Sequence, residues 1–124
     1  MFKKFILLTA LFNFPIAIGM LLSVIQKPTV ETFIITAVLS AFLIFAGLAL
    51  LWAAKDIQTR APIIVWNGLV RCIGFLSVAY ATSLSLVPTI LLLIAVMDVI
   101  TALVYFIGCT KQTQQPFFSI VFAK

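Results

Sequence analysis

The 124-residue chain has no histidine, only three acidic residues and only two cysteines. Without histidine, zinc sites of the cysteine–histidine kind lack their ligands and histidine-ligated haem is excluded. Cys72 and Cys109 form no Cys-x-x-Cys pair, which argues against thiol–disulfide exchange. On the topology derived below, their depths in a membrane differ by roughly 10 Å or more at helical rise, beyond the reach of a disulfide. Both read as small hydrophobes. A single acidic residue inside an apolar segment, with no histidine and no metal cluster, offers little to an acid–base enzyme. No catalytic residue, metal or cofactor is therefore expected.

Charge is scarce altogether. Only 9% of residues are charged while 65% are hydrophobic, and the mean hydropathy is +1.31. A soluble domain carries about 25% charged residues, so most of this surface must face lipid. Lysine and arginine total 8 against 3 acids, for a net charge of +5. Those charges lie between apolar segments instead of forming a patch, which fits topogenic charges facing anionic lipid and not a nucleic-acid surface.

Taken in order, the chain reads as four spans with short loops, at about 5–25, 32–54, 62–84 and 89–108, followed by a tail over 110–124. The first run has a basic start and Ala17-x-Gly19 as a conceivable cleavage site. Its apolar character continues through Val24-Ile25, which favours a retained helix over a signal peptide. Pro15 should loosen that helix one turn back. Pro28 marks the first turn, with Glu31 near the start of the second helix, where the dipole favours it. Trp52 precedes Lys55 as an interfacial aromatic would. Pro62 suits the first turn of the third helix, and Gly108 offers a C-cap for the fourth. The tail ends Phe117-Phe118-Ser119-Ile120-Val121-Phe122, too short to span. Either it lies on the membrane or packs on a partner, or it is disordered.

The N-terminus, second loop and tail carry two basic residues each, while the first and third loops carry one and none. The positive-inside rule then puts both termini on the cytoplasmic side of a multi-pass inner-membrane protein.

Within the spans, depth follows from helical rise and a hydrocarbon core about 30 Å thick. Arg71 comes out roughly 13 Å deep, Asp98 roughly 16 Å, Asn13 roughly 12 Å and Ser40 roughly 18 Å from the inner face. One polar group from each helix thus falls in a common layer. The spacing predicts inward faces Asn67–Arg71–Gly74–Val78–Ala81 on the third span and Ala95–Asp98–Ala102–Tyr105–Cys109 on the fourth. Thr36–Ser40–Gly47 and Thr9–Asn13–Met20 mark the second and first. The predicted fold class is an all-α membrane protein, a four-transmembrane-helix antiparallel bundle with a polar middle.

Insertion scales put Arg or Asp at about 2.5–3.5 kcal/mol each at a helix centre, so Arg71 is expected to pair with Asp98. Asn67, one turn from Arg71, would brace the guanidinium or share a ligand, and Asn13 would complete the site. Tyr105, two turns from Asp98, either lines an entrance or is an interfacial aromatic. Such a pair can simply hold two helices in register, but ionisable residues inside a membrane are by default candidates for function.

The segment Trp66-Asn67-Gly68-Leu69-Val70-Arg71-Cys72-Ile73-Gly74, with an acidic residue on the last of four short-looped spans, resembles the DoxX-like and related small bacterial membrane proteins. The resemblance is one of general architecture and implies a cytoplasmic-membrane protein. Small multidrug transporters share the span count, but they depend on a glutamate in the first helix where this chain has Asn13. The leading expectation is a bundle binding a small amphipathic or anionic ligand at Arg71 and Asp98 with Asn67 and Asn13. The alternatives are a non-catalytic accessory subunit docked on a membrane protein partner, or a small transporter working as a homo-oligomer.

Overall fold

A computed structural model describes residues 1–124 and is entirely helical. In chain order the elements are α1 (Phe2–Gln26), α2 (Phe33–Ala53), α3 (Ile57–Ser83), α4 (Ile90–Thr113) and a short α5 (Phe117–Val121). The first four are each long and apolar enough to cross a membrane. They pair as consecutive antiparallel helices, α1 with α2 and α3 with α4, while α5 packs on α3 and α4. The chain divides into two compact units, Met1–Lys55 and Asp56–Lys124.

In the first unit, small side chains bring the helices close. Ala10, Asn13 and Ala17 are buried on α1, and Ser40, Gly47 and Leu50 on α2. A Cβ at Gly47 would lie 3.0 Å from the Phe14 ring and 3.2 Å from the Ala10 carbonyl oxygen, so glycine is what lets α1 approach there. Close backbone approach at small residues is how helices associate where lipid removes the hydrophobic drive. The Ser40 hydroxyl donates to the Thr36 carbonyl at 2.8 Å and the Thr9 hydroxyl to that of Phe5 at 3.0 Å. The helix α1 runs unbroken through Pro15.

The second unit begins earlier than the position of Pro62 predicts. Asp56 caps α3, its carboxylate accepting from the Thr59 backbone N–H at 3.4 Å. That cap starts the helix at Ile57, and Pro62 lies inside it. Hydrogen bonds from Thr59, by its side chain and then its backbone, hold the Asp56 carboxyl below its ordinary range. At its far end α3 closes with Ser85 in the left-handed region (φ 57°). The Ser85 N–H donates to the Thr82 carbonyl and the Leu86 N–H to that of Ala81, each at 3.0 Å, the paired bonds of a Schellman stop.

The fourth helix does not stop at Gly108. It continues to Thr113 and ends where Gln114 turns left-handed (φ 55°) just before Gln115-Pro116. Gly108 has no need of a left-handed conformation and stays helical.

The buried residues of α3 include Ala61, Ile64, Val65 and Gly68, and those of α4 are Ala95, Ala102, Tyr105 and Cys109. The α4 row is the one its spacing predicts. On α3 the packed row lies one residue over, through Gly68 and not Gly74: a Cβ at Gly68 would meet Phe106 at 2.6 Å, whereas one at Gly74 would meet nothing within 4 Å. Beyond Gly68 no residue of α3 is fully buried.

The tail is ordered against its own helices. Pro116 starts α5, Ile120 is buried, and Phe117 sits edge-on to Phe106 with ring centroids 5.0 Å apart. The Trp66 indole N–H donates to the Val121 carbonyl at 2.9 Å.

Candidate functional site

Within the α3–α4 unit, Asn67, Arg71, Asp98 and Tyr105 come together. Arg71 lies one turn beyond Asn67 on α3, and its Nε donates to the Asn67 side-chain oxygen at 3.0 Å. Its Nη1 donates to Asp98 Oδ1, so the two form a salt bridge across the helix pair. Residues four apart on a helix lie on one face, so Asn67 holds the near end of the guanidinium while Asp98 draws its tip toward α4.

Tyr105 lies on the same face of α4 as Asp98, two turns on. Its ring is fully buried, with the guanidinium carbon 5.9 Å from the ring centroid. That places it within the range at which an aromatic face attracts a cation. Its burial separates it from the half-exposed Trp52 and Trp66, which fit interfacial anchors better.

Asn13 belongs to the other unit, in the buried row of α1 between Ala10 and Ala17.

A guanidinium carries five N–H donors and a carboxylate can accept on both oxygens. Arg71 commits two donors, one to Asn67 and one to Asp98. The pair is not sealed: 18% of the Arg71 side chain and 40% of that of Asp98 remain accessible on the chain.

Both cysteines are free. Cys109 is buried with its sulfur 4.0 Å from the Ala61 carbonyl oxygen, a packing position. No three His, Cys, Asp or Glu side chains come together as a group of metal-ligand kind.

Two links in this unit have no signal in local sequence pattern. One is the Trp66–Val121 bond; the other runs from the Gln58 side-chain amide to the Gln112 carbonyl at 2.7 Å. Both tie α3 to the segment at and beyond the end of α4, and only folded proximity creates them. Comparisons with protein-family models, curated proteins and solved structures gave no match to this chain.

Proposed function

We propose that this four-span membrane protein binds a small anionic or amphipathic molecule at Arg71, with Asp98 as a resident counter-ion that the ligand's acidic group displaces. The observation that carries the reading is the state of the guanidinium: anchored by Asn67, shared with Asp98 and left with uncommitted donors. A pair serving only to hold register would gain most by satisfying its members fully, since partly satisfied buried polar networks are costly. Tyr105 supplies an aromatic wall beside the charge. The reading rests on the pair itself and not on the resemblance to DoxX-like proteins.

The basic loops favour a cytoplasmic-membrane location with both termini inside. Docking of the aromatic tail onto a larger complex is the weaker reading, because Ile120 and Phe117 are already spent against α3 and α4.

The test uses the purified chain in an uncharged detergent, titrated with decyl phosphate while thermal unfolding is followed. A ligand that binds only the folded state raises its stability with concentration. The native chain should gain stability saturably, and Arg71→Gln, helical by circular dichroism, should gain none. An equal, saturable gain in Arg71→Gln would refute the site.

A further inference from the structure

A second feature lies away from Arg71, wholly within the Met1–Lys55 unit. Where α1 begins and α2 ends, the two helices leave a groove of about 540 Å³. Its floor is apolar, formed by Leu7, Leu48 and Leu51, and Trp52 stands at its side. Lys3 and Lys55 line it at the helix ends. No acidic side chain lines it. Asp56, next in sequence to Lys55, is engaged as the cap of α3.

We infer that this groove is a binding site for one anionic phospholipid, with the headgroup phosphate between Lys3 and Lys55 and an acyl chain along Leu7, Leu48 and Leu51. The order of chemistry along the groove matches that of a lipid. Ammonium groups come first, at the helix ends where spanning segments leave the hydrocarbon; an amphipathic aromatic follows at headgroup level, then apolar side chains about one to two turns deeper. Basic pockets between membrane helices select anionic headgroups because each lysine near the surface adds attraction that a zwitterionic lipid does not share. A soluble phosphate would use the lysines but leave the leucine floor empty. A zwitterionic lipid would fill the floor and gain nothing from two cations. The anionic phospholipid uses both.

Trp52 reports on its own site once Trp66, in the other unit, is replaced. The Trp66→Phe chain is reconstituted in phosphatidylcholine vesicles that hold a minor fraction of brominated lipid, either phosphatidylglycerol or phosphatidylcholine. Bromine quenches indole fluorescence only at contact, so the two quenching curves give the relative association constants at Trp52. The brominated phosphatidylglycerol should bind roughly thirtyfold more strongly, the scale two interfacial lysines supply. Equal quenching by the two lipids overturns the proposal without any lysine variant. In the same background Lys3→Gln and Lys55→Gln should each cut the preference several-fold. Lys4→Gln, next in sequence but outside the groove lining, should leave it unchanged. A fall with Lys4→Gln as large as with Lys3→Gln would overturn the site in favour of general attraction to a basic membrane surface.

Discussion

Replacing Asp98 with asparagine separates a displaceable counter-ion from a structural clasp, because the two roles predict opposite responses to an anion. Removing one partner of a fully buried ion pair costs about 3–5 kcal/mol. The pair here is part-accessible, 18% for the Arg71 side chain and 40% for that of Asp98, so its interaction is smaller; about 2 kcal/mol is a fair scale for a pair between buried and exposed. If an anion must displace Asp98 to reach Arg71, the native chain gives up that interaction on binding and Asp98→Asn does not. At about 1.4 kcal/mol per tenfold, the variant should bind the anion roughly thirtyfold more tightly. Without anion it should melt below the native chain, since Arg71 keeps Asn67 and the Tyr105 ring but loses its counter-charge. Added decyl phosphate should close most of that gap. The assay is the same titration, with tryptophan fluorescence reporting unfolding at each anion concentration. Affinity in Asp98→Asn equal to or weaker than native would show that the anion does not displace Asp98. If the pair only holds α3 to α4, both Asp98→Asn and Arg71→Gln melt low and neither responds to the anion.

Packing makes a sharp contrast between two glycines of α3. Gly68→Ala should lose about 1–3 kcal/mol in detergent unfolding, because its Cβ meets Phe106, itself held edge-on by Phe117; Gly74→Ala, facing open space, should be neutral or slightly stabilising. Trp66→Phe removes the bond to the Val121 carbonyl, and a loss of about 1 kcal/mol local to α5 should appear as faster amide exchange over Phe117–Val121 with α3 and α4 unchanged. Asp56 has a folded-state pKa held below 3.8 by Thr59, so its cap contributes in full above that value and is lost as pH falls through the lowered one. Asp56→Asn keeps a capping side chain without the charge. The stability gap between it and the native chain, measured from neutral pH downward, should narrow in acid; a constant gap would contradict the assignment.

Much of this was readable because charge is so rare. With only Arg71 and Asp98 charged inside the two spans of the α3–α4 unit, the two had to find each other or face lipid, and the structure joins them. Asn67 followed from its position one turn away on the same helix. The α4 face followed from the spacing of Ala95, Ala102, Tyr105 and Cys109, all buried. Errors arose where a local signal had two uses. Pro62 suits a first turn, yet the stronger signal was the Asp56–Thr59 cap before it. Gly108 could have ended α4, but a membrane helix carries glycine without stopping, and Gln114 made the left-handed turn instead. Gly68 and Gly74 both sit near the predicted α3 face, and only the position of Phe106 decides which is packed. The tail was the least legible part. Its order depends on Trp66 and Phe106, some fifty and ten residues away, and local pattern carries no trace of such contacts.

Native mass spectrometry of the full chain, released from its own membrane in a mild uncharged detergent, reads the occupancy of Arg71 directly. The native chain should carry one small acidic molecule, retained in Asp98→Asn and absent from Arg71→Gln. An adduct unchanged in Arg71→Gln, or a chain that holds a stoichiometric protein partner and no small molecule, would contradict a ligand at Arg71.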